Sequence, residues 1–265
     1  MSKPLPRLPF EIICDIIDLL YDDRDTLKKC CLLSKSCIPL ARRHLFKGIR
    51  LNGLSHLKAW AKLFQNPAES PAHHACWLIV SGFDDQVEGA EECGWIQSFT
   101  NVTNFSVHGM KNDKLNYLHN FSPVVKSLCV NSNFGSPSNI LTLVCSFPCL
   151  EDLEVLCVGP NNIDQDGAAF QPSSSPAFTG TLILSGHLEA IATLMLDLPG
   201  GLHFKKIDLS ILQETKTEEP NIGWMVKLTE MCSGTLEYIN IEFGLHGKPC
   251  LFFFVTGSVS DPDFL

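Results

Sequence analysis

The 265-residue sequence contains no apolar run long enough to cross a membrane, so we expect no membrane-spanning segment. The first residues do not form a secretory signal, because Glu11 and Asp15 interrupt the apolar stretch that such a signal needs. Motifs of common enzyme classes are also missing: there is no G-x-S-x-G, P-loop, H-E-x-x-H or G-x-G-x-x-G after a strand. The sequence therefore predicts a protein that is not an enzyme and needs no cofactor.

Positive charge is scarce. The chain has 20 Lys and Arg residues against 29 Asp and Glu residues, which gives a formal net charge of −9. A nucleic-acid-binding protein needs a basic face that contacts phosphates. We therefore expect no nucleic-acid partner.

Cysteine is frequent, but its pattern indicates neither disulfides nor a metal site. Most of the twelve cysteines lie in apolar runs, as Cys129 and Cys157 do, where a reduced thiol acts as a small hydrophobic side chain. Cys145 and Cys149 have no second ligand pair with the spacing of a zinc site. We expect free thiols, no metal and a cytoplasmic or nuclear location, because both compartments are reducing. A hydrolase that uses Cys and His stays an open alternative.

The first fifty residues contain three short helical patterns. Pro9 suits the start of a helix, and Glu11 favours its positive end. Asp25 and Pro39 mark the starts of the other two helices. In the first helix, the apolar residues at helical spacing are Ile12, Ile13, Ile16, Ile17 and Leu20. Three helices this short cannot build a large core, so their apolar faces need a partner, either the rest of the chain or another protein.

These helical patterns resemble an F-box. The similarity rests on Leu8-Pro9-x-Glu11-Ile12, on Leu33-Ser34-Lys35-Ser36 and on Leu45-Phe46. Cys37 departs from the family, which often has an aromatic residue at this place. The resemblance implies a three-helix module over residues 1–47 that docks onto the Skp-type adaptor of a cullin–RING ubiquitin ligase. The implied adaptor-binding residues are Leu8, Pro9, Ile12, Ile16, Ile17, Leu20 and Leu27.

A second pattern begins after Phe46 and repeats every 23 to 32 residues. In six of the eight units an apolar residue is followed, three and five positions later, by two more, and two weaker units begin with His74 and Thr179 instead. These later pairs are Ile49/Leu51, Trp77/Ile79, Phe105/Val107, Leu128/Val130, Leu153/Val155, Leu182/Leu184, Ile207/Leu209 and Ile239/Ile241. Short strands at this interval, separated by helical stretches, predict a stacked strand–helix solenoid.

The repeat resembles irregular leucine-rich repeats, which often follow an F-box. The resemblance implies an α/β fold in which a three-helix F-box precedes an irregular leucine-rich-repeat-like solenoid with a curved parallel sheet. The solenoid would span residues 48–247, with a long loop at 160–180. Residues 248–265 form an apolar strand and tail, which we expect to pack back on the last unit unless the chain is shorter than its relatives. A non-repeating α/β domain whose strands share a motif is the alternative.

Alternate side chains of such strands leave the core and form the outer face of the sheet. Here this face mixes apolar and polar residues, which favours a surface that binds a target protein. Cover by a loop, or simple exposure of apolar side chains, is an equally open interpretation. The candidate target-binding residues are Leu78, Val80, His108, Glu154, Leu156, Ile183 and Asp208.

Together these patterns predict a substrate receptor of a ubiquitin ligase. It would bind a Skp-type adaptor, and through it the cullin scaffold, with its helices, and hold a target protein on its solenoid. Its contribution to ubiquitin transfer would be proximity. One alternative is an interaction protein outside the ligases, whose degenerate F-box only caps the solenoid. The other is a cysteine-dependent enzyme.

Overall fold

The computed structural model describes residues 8–66, 69–82, 96–109, 118–119, 121–131, 136–157, 174–186, 188–213, 222–245 and 248–256. Three short helices come first, and nearly all that follows belongs to one sheet and to the helices that cover it. This arrangement places the described chain in the α/β class, as the sequence predicted.

The first three helices form a small module with its own core. They are α1 (Phe10–Leu19), α2 (Arg24–Leu33) and α3 (Cys37–Leu45), and α3 contacts both of the others. Asp23, and not Asp25, caps α2, because its carboxylate accepts a hydrogen bond from the Thr26 N–H at 3.0 Å. The buried residues of the module are Ile17, Leu27, Cys30, Cys37 and Ala41, and they form a cluster separate from the main core.

The sheet has nine strands whose spatial order is their order along the chain. They are β1 (Gly48–Asn52), β2 (Trp77–Ser81), β3 (Asn104–His108), β4 (Ser127–Asn131), β5 (Asp152–Cys157), β6 (Thr181–Gly186), β7 (Lys206–Gln213), β8 (Tyr238–Leu245) and β9 (Lys248–Thr256). Strands β1 to β8 are parallel, which confirms the parallel sheet, and the sheet is open. Strand β9 pairs antiparallel with β8, so the C-terminal strand returns onto the last unit.

Helices cover one face of this sheet. They are α4 (Gly53–Leu63), a 3-10 helix (Pro71–His74), α5 (Pro137–Cys145), α6 (Glu189–Leu196) and α7 (Gly223–Cys232). With the three helices of the module, the described residues contain seven α-helices. The buried side chains of these helices and of the strands belong to one hydrophobic cluster, and α6 contacts both α5 and α7. The main core therefore lies between the sheet and a layer of helices.

Two columns of side chains run across the sheet on its covered face. The first column is Ile49, Leu78, Phe105, Leu128, Leu153, Leu182, Ile207 and Ile239, and the second is Leu51, Val80, Val107, Val130, Val155, Leu184, Leu209 and Ile241. All but the half-buried Ile241 are buried. In seven of the eight strands these are the positions that the repeat predicted.

Strand β2 is the exception, because its register differs from the prediction by one residue. Leu78 and Val80 are buried, at 0% and 1% exposure, whereas Trp77 is 49% exposed. Residues 77–80 are all apolar, so no alternation indicates which side faces inward, and a slip of one residue exchanges the two faces. Trp77 lies opposite Gly48, where a Cβ atom would come within 3.5 Å of its ring. The prediction that Leu78 and Val80 face outward is therefore wrong.

The end of the predicted loop at 160–180 contributes to the core. Residues 174–180 are described, and Phe178 among them is buried with its ring centroid 5.0 Å from that of Phe204. The backbone of Phe178 has a φ of 45°, a left-handed conformation that costs a residue with a side chain roughly 1–2 kcal/mol. Burial of the ring offsets that cost, since a buried Phe contributes about 1.5–3 kcal/mol. Residues 160–173 lie outside the described part of the chain.

The register of β2 can be tested with two neighbouring substitutions. We expect Leu78→Ala to lower the free energy of unfolding by about 2–5 kcal/mol, because it leaves a cavity in a fully buried column. Ile79→Ala removes a partly exposed side chain from the opposite face and should cost less than half as much. Urea denaturation measured by circular dichroism would compare them. A larger loss for Ile79→Ala would contradict the register.

Candidate functional site

Helix α1 has apolar residues on two sides. Ile13, Ile17 and Leu20 pack into the core of the module. Ile12, Ile16 and Leu19 follow one another at spacings of four and three, so they share another side of the helix. Ile12 is 43% and Ile16 45% exposed, and Leu19 and the preceding Leu8 are more exposed still. We call Leu8, Ile12, Ile16 and Leu19 the α1 outer row.

The implied adaptor-binding residues divide between the surface and the module core. Leu8, Pro9, Ile12 and Ile16 are exposed, and Leu20 is half-buried. Ile17 and Leu27 are buried, so they stabilise the module and cannot contact an adaptor while it stays folded. The expectation that these two lie on a binding face is therefore corrected. Leu19 was missed, although its helical spacing from Ile12 and Ile16 could have identified it.

An ionic cluster fixes α1 against α3. The Asp18 carboxylate contacts His44 Nε2 at 2.8 Å and also accepts a hydrogen bond from the Arg43 guanidinium. The hydrogen bonds from His44 and then Arg43 lower the pKa of Asp18 below its ordinary value. This contact joins the first and third helices and leaves the α1 outer row free on the surface.

The outer face of the sheet brings together five of the seven predicted target-binding residues. Neighbouring strands place Glu154, Ile183 and Asp208 in one row. His108 and Leu156 lie in the next row, with Asn131 between them. All five are half-buried, so each offers part of its side chain to solvent. Leu78 and Val80 do not belong to this face, for the reason given above.

Polar contacts order two parts of this outer face. Asn240 Nδ2 donates a hydrogen bond to Asp208 at 3.2 Å, and Ser81 Oγ donates one to Asn52 at 2.8 Å. Burial raises the pKa of Asp208, as does the charge of Glu242, while the hydrogen bond from Asn240 acts in the opposite direction. The face is thus a mixture of hydrogen-bonded polar groups and partly exposed apolar side chains.

Three thiols of the described residues have strongly raised pKa values, which is the opposite of what a nucleophilic cysteine needs. Burial raises the pKa of Cys129 to about 12, and the neighbouring Glu154 adds to this shift. Burial also raises the pKa of Cys145 and of Cys232 to about 11. A reactive cysteine needs a lowered pKa, because the thiolate is the attacking species. Cys232 lies in the main core and Cys145 packs against it, whereas Cys129 lies on the outer face of the sheet between Ser106 and Glu154.

Comparison with known proteins identifies no relative. No protein-family model, curated protein or solved structure matches this chain. In the part of the chain that the structure describes, no helix has the length and apolar character to cross a bilayer. The same part contains no group of three or more His, Cys, Asp or Glu residues that could hold a metal ion. Function is therefore inferred from the α1 outer row and the outer face of the sheet.

Alkylation of the native protein tests the state of the thiols. We expect Cys129, Cys145 and Cys232 to react slowly with iodoacetamide near neutral pH, because burial and a raised pKa leave little accessible thiolate. Cys149 is exposed and serves as the internal control that reacts readily. Peptide mass mapping would resolve each site. Rapid labelling of any of these three thiols would support a cysteine-dependent enzyme.

The raised pKa of Asp208 predicts a stabilising substitution. The raised pKa means that the folded protein disfavours the charged carboxylate of Asp208. Protonated Asp208 therefore stabilises the folded state below pH 3.8, and this stabilisation is lost as the pH rises through the raised folded pKa. Asp208→Asn should therefore raise the unfolding temperature at pH 7 by about 1–2 °C, and the gain should shrink toward pH 3.

Asp18→Asn is the matched control for this pH dependence. The pKa of Asp18 is lowered, so its contribution is present above its unfolded pKa and lost at acid pH. Its replacement should destabilise the protein at pH 7. Scanning calorimetry at both pH values would measure the two effects, and equal signs for the two variants would contradict the pKa directions.

Proposed function

We propose that this chain is an F-box substrate receptor of a cullin–RING ubiquitin ligase. Its three N-terminal helices bind a Skp-type adaptor through the α1 outer row, and the cullin scaffold is reached through that adaptor. The outer face of the sheet holds a target protein. The chain itself catalyses no bond formation, and its effect on ubiquitin transfer is proximity.

The exposed row on α1 is the observation that carries this proposal. Large aliphatic side chains on one side of a short helix are costly in water, and burial of each contributes about 1.5–3 kcal/mol. None of the four side chains of the α1 outer row belongs to either hydrophobic cluster of the described residues. A protein partner with an apolar groove would remove them from water together.

The arrangement of α3 favours this proposal over a module that only caps the sheet. Helix α3 contacts the 3-10 helix before β2, and the carbonyl of Lys47, just beyond it, accepts hydrogen bonds from the Cys76 and Trp77 N–H groups. The junction with the sheet is therefore made from α3 and the residues that follow it. The α1 outer row is not needed for that junction and stays available to a partner.

The sheet supports the second half of the proposal. Strands β1 to β8 follow the chain order, are parallel, and repeat the same two buried positions, as expected for an irregular leucine-rich-repeat-like solenoid. In such repeats the outward side chains of successive strands lie side by side and form rows across a continuous surface. We infer that the surface with His108, Glu154, Leu156, Ile183 and Asp208 binds the target, and that the protein works in the cytoplasm or nucleus.

Co-purification with a Skp-type adaptor tests the role of the α1 outer row. The double variant Ile12→Asp/Ile16→Asp should lose the stoichiometric complex that the unmodified chain forms. Two lost apolar contacts and two carboxylates against an apolar groove should weaken binding by more than about 3 kcal/mol, which is over a hundredfold in affinity. Both side chains are already exposed, so the unfolding temperature should change little.

Leu63→Asp provides a matched control, because Leu63 is a highly exposed aliphatic residue at the end of α4. It should leave adaptor binding intact. A folded chain that forms no adaptor complex would overturn the receptor proposal and favour an interaction protein outside the ligases. Unfolding of the double variant would show that the row is used within the chain, as the cap alternative requires.

A further inference from the structure

Positive charge is concentrated in one segment of this acidic chain. Residues 24–63 contain ten Lys and Arg residues and a single acidic residue, Asp25, while the remainder contains ten basic and 28 acidic residues. Asp25 is paired with Lys28 at 2.9 Å. Helices α2, α3 and α4 and strand β1 all belong to this segment. The fold thus places a basic region at the start of the sheet.

A cleft of about 720 Å³ lies in this region, between the helical module and the first two strands. The basic and aromatic residues of its lining include Tyr21, Arg24, His44, Lys47, Arg50 and Trp77. Asp22, beside the Tyr21 hydroxyl, is the one carboxylate among the described lining residues. We call this space the β1 cleft.

The β1 cleft passes around the free edge of the first strand. Ile49 and Trp60 line it from the core side, and both pack in the main hydrophobic cluster. Arg50 and Trp77 line it from the outer face of the sheet. Strand β1 has only β2 as a neighbour, so a space that touches both of its faces includes its unpaired edge.

The register shows which peptide groups of β1 face this edge. The Lys47 carbonyl accepts a hydrogen bond from the Trp77 N–H at 3.1 Å, and Gly48 is the residue aligned with Trp77. In a parallel pair alternate residues direct their peptide groups to the same neighbour, so Lys47 and Ile49 face β2. Gly48 and Arg50 direct theirs to the free edge, where none of the described residues pairs with them.

The cations beside this edge are also available. Within the described part of the chain, Lys47 and Arg50 are exposed and form no ion pair. Arg24 donates a hydrogen bond from its guanidinium to the Leu45 carbonyl at 3.3 Å, which holds it at the rim. Unpaired peptide groups and unpaired cations therefore occur together in one cleft.

We propose that the β1 cleft binds an extended acidic segment of a partner protein, which adds to the sheet as a strand next to β1. Main-chain hydrogen bonds to Gly48 and Arg50 would set its register, as in other cases of strand addition. Since alternate side chains of a strand point to opposite faces, acidic residues reach Arg50 on the outer face while the intervening ones pack toward Ile49 and Trp60. Lys47 adds positive charge at the start of the strand.

This ligand class fits the cleft better than a nucleic acid does. Phosphates would satisfy the cations, but a nucleic acid has no main chain with the spacing of donors and acceptors that the edge of β1 presents. The site is separate from the α1 outer row, so binding in the β1 cleft does not depend on adaptor binding.

Fluorescence anisotropy with the full chain tests the site. The probe is a fluorescein-labelled peptide of ten residues that alternates Glu and Val. We expect saturable binding that Arg50→Glu weakens at least about tenfold, because it replaces a charge-assisted hydrogen bond with repulsion. Lys62→Glu makes the same change of charge at an exposed position of α4 outside the cleft, and it should weaken binding less than about twofold.

Two altered peptides separate charge from strand pairing. Replacement of Glu by Gln should weaken binding by removing the carboxylates. N-methylation of alternate peptide nitrogens should also weaken it, because it blocks main-chain hydrogen bonds while keeping every charge. Ile12→Asp/Ile16→Asp should leave peptide affinity unchanged, so failure of the adaptor proposal would not affect this result.

Several outcomes would overturn the proposal. They are absence of saturable binding to the unmodified chain, equal losses in Arg50→Glu and Lys62→Glu, and full affinity of the N-methylated peptide. Tighter binding of a single-stranded oligonucleotide, lost in Arg50→Glu, would assign the cleft to nucleic acid instead. The unfolding temperatures of both variants should match that of the unmodified chain, since both side chains are exposed.

Discussion

The stacking of two apolar positions from strand to strand is the constraint on which most of this fold depends. Parallel strands pair residue for residue, so a buried leucine in one strand requires an apolar neighbour at the aligned position of the next. The helices cover these columns because the columns would otherwise face water. The same register directs the intervening residues to the opposite face, so one set of pairings determines both the core and the candidate target surface.

A sheet built in chain order has two edge strands, here β1 and β9, and their surroundings differ. At the far end β9 reverses direction and pairs with β8. At the near end β1 meets the helical module through Lys47, which still leaves the peptide groups of Gly48 and Arg50 open. Exposed strand edges attract other chains, and charged side chains beside them limit indiscriminate pairing. The cations around β1 would then select an acidic partner.

Prediction succeeded where residues alternate in polarity and failed where they do not. Ser106 and Cys129 separate the buried residues of their strands, and the inward side was identified correctly. In β2 the run from Trp77 to Val80 has no polar residue, and the inward side was misassigned. The same difficulty affected α1, because an apolar stripe that covers more than half of a helix does not show which part is buried.

The sequence by itself determined the α/β class, the positions of the strands and the presence of three short helices before them. These features follow from local periodicity and from residues that begin or end a helix, which act within a few positions of one another. Only the tertiary structure decided that Ile17 is buried while Ile16 is exposed, that Trp77 rests against Gly48, and that the edge of β1 opens into a basic cleft. Each of these depends on contacts between residues distant in the chain, and no local pattern records such contacts.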